Sequence, residues 1–206
     1  KQIFAGRKVD VVLDEITEVD FKQQKLVSND TSYDYDYLII GAGAEPCFFG
    51  IEGVEDHALT LWSFEDAIRI REHIRNMFRL ASMERSETVR RKLLSFVVVG
   101  AGFTGVEMMG EIGDWKPVLC EEYKIDPSEV SLYLIDALSS IIPNFPEKLA
   151  DKAAKRFEKM GVQILLNNAL KSVSPDEVTL ANDSKIDSNT VIWCAGIQSS
   201  EFVSKL

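Results

Sequence analysis

The alternation of apolar and polar positions changes period several times along the chain. Val9-Asp10-Val11-Val12-Leu13 and Ile16-Thr17-Glu18-Val19 are rich in branched residues and precede the polar stretch Ser28-Asn29-Asp30-Thr31, which predicts short strands within residues 9–40. Tyr37-Leu38-Ile39-Ile40 predicts a buried strand. Gly41-Ala42-Gly43-Ala44-Glu45-Pro46, with Gly50 and Gly53 close behind, predicts an irregular crossover between domains. From Ser63 the period lengthens. Phe64, Ala67, Ile68, Ile74, Met77, Phe78 and Ala81 recur at three- and four-residue steps, the stripe of a helix of about five turns. Ser63 with Asp66 resembles a capping box at its start. Arg69, Arg71, Arg75 and Arg79 give the helix a basic flank, read as a solvated face.

Ser95-Phe96-Val97-Val98-Val99 is too short and too branched for a helix and predicts a fully buried strand ending at Gly100. Leu132-Tyr133-Leu134-Ile135 predicts a second, ending at Asp136. A helix over Glu147 to Met160 is stopped by Gly161, and Val162-Gln163-Ile164-Leu165-Leu166 follows as a third strand. Residues 171–187 have the pattern of a short meander, and Val191-Ile192-Trp193 is a last buried strand running into Ala195-Gly196. Strands alternating with helices predict an α/β fold, a parallel sheet with right-handed crossovers and helices on its faces, plus a small β-meander.

Length and composition narrow the class. The 206 residues correspond to about 1.4 average domains, so one domain with part of another is as natural as a single unit. With 46% hydrophobic and 27% charged residues, the composition is that of a globular chain, and no run of 18 uncharged apolar residues offers a spanning helix. Lys1 opens neither a signal peptide nor an ordinary start of translation, so a trimmed chain is expected. Thirty-three acids against 23 bases leave a net charge of −10, which disfavours nucleic acid. Cys47, Cys120 and Cys194 form no CxxC pair, so no metal site is expected, and their odd number fits a reducing, cytoplasmic compartment. His57 and His73 lack partners at metal or triad spacing and are read as structural, as is Cys194.

Gly100-Ala101-Gly102-Phe103-Thr104-Gly105 matches GxGxxG directly after a strand and before a helix, where the motif has mechanical meaning. Gly100 allows the tight turn, Gly102 lets the backbone approach a pyrophosphate, and Gly105 permits close helix–strand packing. The amides at the helix start then bind phosphate without a lysine. Asp136 ends the second strand, where a carboxylate accepts hydrogen bonds from ribose hydroxyls and repels a 2′-phosphate, which favours NAD(H) over NADP(H). An acidic strand end facing water is the plainer alternative. The separation from Gly100 is 36 residues, longer than the usual ~20. This predicts that Trp115-Lys116-Pro117 ends the first helix and that a second helical piece runs towards Asp126-Pro127. Gly41-Ala42-Gly43 also follows a predicted strand, but Pro46 takes the sixth position and no amphipathic helix comes after it. A close-packed crossover is expected there instead.

Together these features resemble the type II NADH dehydrogenases, flavoproteins of the pyridine nucleotide-disulfide oxidoreductase superfamily. Tyr35 to Ala44 is similar to the strand and crossover entering the family's NADH domain, with Ala42-Gly43 where the family usually has Thr-Gly. Phe96 to Glu111, FVVVGAGFTGVEMMGE, is similar to the NADH fingerprint. Leu134-Ile135-Asp136-Ala137 with Ile141-Ile142-Pro143-Asn144-Phe145 resembles the ribose-binding strand and its sequel, and Val191 to Ile197 the return crossover.

The resemblance implies a Rossmann-like NAD(H)-binding domain over residues 58–195, a partial FAD-binding domain and crossover over 1–57, and a return segment over 196–206. It implies hydride transfer from NADH to FAD and electron transfer on to a quinone in the cytoplasmic membrane, with the parent protein peripheral on that membrane. NADH contacts would come from Gly100, Gly102, Phe103, Thr104, Gly105, Glu107, Asp136, Ala195 and Gly196. Glu107 would be the catalytic residue, accepting a hydrogen bond from the nicotinamide carboxamide. The family's FAD fingerprint would precede Lys1, and its Gly-Asp flavin segment and membrane-anchoring helices would follow Leu206. An excised NADH-binding piece that holds no FAD itself is therefore expected, with apolar surface that invites homodimer formation. A ferredoxin or nitrite reductase component, or a non-catalytic NAD(H) redox sensor, would carry the same middle domain.

Overall fold

The computed structural model describes Phe4 and residues 6–206. The chain forms two compact units, one of Pro46–Ile197 and the other of the N-terminal residues up to Glu45 with Gln198–Leu206.

In the smaller unit, β1 (Ile16–Asp20), β2 (Lys25–Ser28) and β3 (Ser32–Asp34) form an antiparallel sheet. The Asp20 carboxylate accepts the N–H groups of Lys22 and Gln23 at 2.9 and 2.8 Å and so shapes the first turn. Two expected strands are absent. Val9–Leu13 forms no strand and pairs with none among the described residues, and Val12 and Leu13 are exposed. Tyr37–Ile40 is irregular, and Tyr37 is 95% exposed rather than buried. Branched side chains make a segment fit for a sheet, but strand formation needs a partner ladder. Nor is the Gly41–Gly43 stretch close-packed, since a side chain at either glycine would meet nothing within 4 Å. The short β4 (Ala44–Pro46) follows.

The larger unit begins with α1 (Val54–His57), β5 (Leu59–Thr60), α2 (Phe64–Met83), α3 (Glu87–Leu93) and β6 (Ser95–Val99). It continues through α4 (Phe103–Tyr123), a 3-10 turn at Pro127–Glu129, β7 (Ser131–Ile135), α5 (Glu147–Met160) and β8 (Val162–Leu165). The meander β9 (Leu170–Val173), β10 (Glu177–Leu180) and β11 (Lys185–Asp187) leads into β12 (Thr190–Trp193). Five strands form one parallel sheet in the order β5-β12-β6-β7-β8. Both faces are covered, which is why β6 is apolar at every position but Ser95. Phe96 and Val98 pack with α2, α4 and α5 through Phe78, Met109 and Phe157. Val97 and Val99 pack with the meander through Val178 and Leu180, alongside Trp193 of β12. β13 (Ile197–Ser199) pairs with β4, and α6 (Glu201–Ser204) ends the chain.

Helix α2 starts as its sequence directs. Ser63 Oγ accepts the Asp66 N–H at 3.1 Å, and Asp66 accepts the Ser63 N–H at 2.9 Å. The buried stripe differs from the expected one, because it comprises Ile70, Ile74, Met77, Phe78 and Ala81 while Phe64, Ala67 and Ile68 are exposed. Ile68 lies about 120° around the helix from Ile74, off the covered face. The basic flank is largely neutralised by Asp66, Glu72 and Glu122, which pair with Arg69, Arg71 and Arg75.

The predicted break at Pro117 does not occur, and α4 runs unbroken from Phe103 to Tyr123 with Pro117 inside it. Proline removes one amide and crowds the carbonyl four residues earlier. That residue is Gly113, and buried Ile112, Leu119 and Cys120 anchor the turns on either side. The expected second helical piece is only the 3-10 turn, capped by Asp126.

Candidate functional site

The site is built where β12, β6 and β7 end side by side. The Gly100 N–H donates to the Ile135 carbonyl at 2.8 Å, and the Cys194 N–H donates to the Val99 carbonyl at 2.7 Å, so the three strand ends are tied together. Gly100 has φ +103°, and a Cβ there would stand 2.6 Å from the Ala195 Cα. At Gly105 a Cβ would stand 1.7 Å from the Gly100 carbonyl oxygen, so α4 lies directly on the turn. Gly102 is different. A Cβ there would meet nothing within 4 Å, so its missing side chain leaves space for something other than protein.

Gly102 caps α4 without a side-chain hydrogen bond, and the first helical bond runs from the Val106 N–H to the Gly102 carbonyl at 3.0 Å. The amides of Phe103, Thr104 and Gly105 precede that bond and point out of the helix end. No acid lies in the first turn. Helix dipole and amides therefore present a positive end beside the open Gly102, which fits a pyrophosphate.

Asp136 closes the turn from the other side. Its carboxylate accepts the Ala101 N–H at 2.5 Å and the Leu138 N–H at 2.8 Å. Each oxygen retains a lone pair for a hydroxyl donor. The loop after β7 is pinned to the same place, because the Ile142 N–H donates to the Ala101 carbonyl at 2.8 Å and Phe145 meets Phe103 edge-on at 4.8 Å. Ile142 is held at φ +47°, costly for a branched residue.

Two recesses flank the helix start. A cleft of about 360 Å³ is lined by Gly100, Gly102, Asp136, Leu138, Trp193 and Ala195. A groove of about 670 Å³ between α2 and α4 is lined by Thr104, Glu107, Glu111, Arg71 and Trp115 among others. The structure thus brings Gly100, Gly102, Asp136 and Ala195 together, and sets Thr104 and Glu107 in the neighbouring groove. Phe103 is half exposed between them, Gly105 lies beneath, and Gly196 is pressed against the Phe49 ring. Sequence reasoning missed Ala101, whose buried N–H holds Asp136, and Trp193, whose indole donates to the Cys47 carbonyl at 2.9 Å. It places Phe145 within the stretch that resembles the sequel of the ribose-binding strand, but does not reveal its contact with Phe103.

Burial pushes the Cys194 thiol up to about 12, so it stays protonated near neutrality. His73 Nε2 lies 2.9 Å from Thr190 Oγ1, bridging α2 to β12, and burial lowers its pKa. Both fit the structural reading of these residues.

The chain is similar to known proteins over almost its whole length. It is 31% identical to the type II NADH:quinone oxidoreductase of Staphylococcus saprophyticus subsp. saprophyticus, over 96% of this chain and 50% of that one. It therefore spans about half the length of the curated relatives it matches. The structure of NDH2 from Plasmodium falciparum in complex with NADH superposes with a TM-score of 0.83 at 24% identity, covering 94% of this chain and 42% of that one. The NADH-bound water-forming NADH oxidase from Lactobacillus brevis gives 0.62 at 19% identity, covering 93% and 38%. The sequence pattern of the pyridine nucleotide-disulphide oxidoreductases matches residues 3–205, a span that includes the glycine turn, Asp136 and the return strand, and the chain belongs to that family.

Proposed function

We propose that the chain is the NADH-binding portion of a flavin-dependent NADH:quinone oxidoreductase, in which NADH gives a hydride to FAD and the electrons pass on to a quinone. One observation carries the reading. Of the three loop glycines, Gly100 and Gly105 are closed in by backbone while Gly102 faces open space at a helix start, between two recesses. A dinucleotide laid across Gly102 to Thr104 places one ribose in the cleft beside Asp136 and the other half along the groove beside Glu107.

The residues then divide the work. The amides of Phe103, Thr104 and Gly105 hold the pyrophosphate, and the Asp136 carboxylate takes a ribose hydroxyl. Glu107, exposed on the groove wall, accepts the carboxamide N–H and sets the ring plane, because hydride transfer needs reacting atoms about 3–3.5 Å apart. FAD, when bound, supplies the acceptor of the hydride. Relatives named for NADH:quinone oxidoreduction support a quinone as the final electron acceptor.

The test is an equilibrium titration with NADH, read by quenching of tryptophan emission, on the chain and on Gly102→Val. Saturable binding that the variant loses without a change in melting temperature is expected. An unmodified chain that does not bind NADH sinks the proposal.

A further inference from the structure

Helix α5 concentrates charge in a way that dinucleotide binding does not use. Lys148, Lys152, Lys155, Arg156 and Lys159 are all exposed, and at 3.6 residues per turn they fall within an arc of about 100°. From Lys148 to Lys159 the stripe is about 16 Å long. Arg156, at one edge, bonds the Asp114 carboxylate of α4 at 2.7 and 2.9 Å. Among the described residues, the four lysines have no ion-pair partner. Packing does not require them, since the covered side of α5 is Phe157 with Ala150, Ala153 and Ala154.

The borders of the stripe decide what can meet it. Glu147, Asp151 and Glu158 run along the edge away from α4, and Asp114 stands on the α4 side. A bilayer or a nucleic-acid duplex presents a broad field of negative charge, which would also face these bordering carboxylates. A narrow acidic segment fits between the borders and meets only the cations. The geometry points to α5 as a docking face for an acidic peptide segment of a partner protein, about 11 residues long if helical. Lysines are flexible point charges, so the face reads the spacing of carboxylates along a line rather than a shaped pocket.

Fluorescence anisotropy tests this with a fluorescein-labelled dodecapeptide of glutamate and alanine, and with its glutamine counterpart. At roughly 0.1 M salt, where charges are screened beyond about 10 Å, the glutamate peptide should bind saturably and the glutamine peptide should not. The double variant Lys152→Glu/Lys155→Glu should weaken binding by about tenfold or more, with melting temperature and NADH titration unchanged. Arg79→Glu on α2 should leave peptide binding intact. Absence of saturable binding, or equal binding by the double variant, overturns the proposal. So does tighter binding to phosphatidylglycerol vesicles or to a DNA duplex than to the peptide.

Discussion

The Ala101 backbone N–H donates to the Asp136 carboxylate at 2.5 Å. The residue expected to meet the ribose is therefore also the residue that fixes the curvature of the glycine turn. Its two roles separate under mutation. Asp136→Ala leaves the buried Ala101 N–H unsatisfied, so a loss of about 1–3 kcal/mol in folding stability is expected. Asp136→Ser keeps an acceptor near the turn while removing the charge. It should narrow the preference for NADH over NADPH, with a smaller effect on melting temperature. Equal affinities for the two nucleotides in the unmodified chain would remove Asp136 from the ribose site.

The glycines should respond in opposite ways. Gly105→Ala drives a methyl into the Gly100 carbonyl and should cost about 3 kcal/mol, a fall in melting temperature of roughly 6–12 °C. Gly102→Ala meets no protein atom, so the fold should melt as before while NADH affinity falls about tenfold. Thermal melts beside NADH titrations of both variants check this. Similar stability losses in the two would mean that Gly102 is also a packing residue.

Glu107→Gln, placed in the flavin-bearing protein, should slow flavin reduction by NADH and leave the melting temperature unchanged, because Glu107 is exposed. Stopped-flow absorbance of the flavin gives the rate. An unchanged rate with a lowered melting temperature would make Glu107 a helix-stabilising residue only.

Cys194 predicts a pH dependence. Its folded pKa is pushed up to about 12 from the ordinary thiol value of 9.0, so above the lower value the unfolded chain releases a proton that the folded chain keeps. Stability should therefore fall as pH rises from about 9 towards about 12, and less steeply in Cys194→Ala. Urea unfolding across that range measures the difference. Because the half-buried thiol stays protonated at pH 8, iodoacetamide should label Cys194 more slowly in the folded chain than after unfolding.

What the sequence made legible was local. Ser95–Val99, the following glycines and the helix behind them form one continuous signal, because a strand buried on both faces must be apolar at nearly every position. The stop of α5 at Gly161 was visible for the same reason, since φ +76° there suits glycine. Tyr37–Ile40 carried an equally apolar signal, yet among the described residues no strand pairs with it, and side-chain pattern says nothing about partners. Pro117 misled in the other direction: tertiary packing of neighbouring turns outweighed one missing amide. The cleft was half legible. Its floor could be read from Gly100 to Gly105, but Trp193 reaches it only through the return of β12 and Phe49 only from the loop between β4 and α1, and the Ala101–Asp136 bond uses a backbone atom that no residue type announces.

The strand order carries a consequence for the birth of the molecule. β12 sits between β5 and β6 in the sheet, yet it is the last of the five to be synthesised. Until Trp193 has left the ribosome, β5 has no strand neighbour, and one long edge of β6 stays open beside the nascent glycine turn. Folding from the N-terminus can assemble β6, β7 and β8 with their helices, but the face of Gly100 that Ala195 covers stays open until Ala195 arrives against it. Non-local pairing of this kind is slow to form. Growing chains therefore expose that edge throughout translation of the meander, which makes this interval the one in which chaperone capture competes with aggregation.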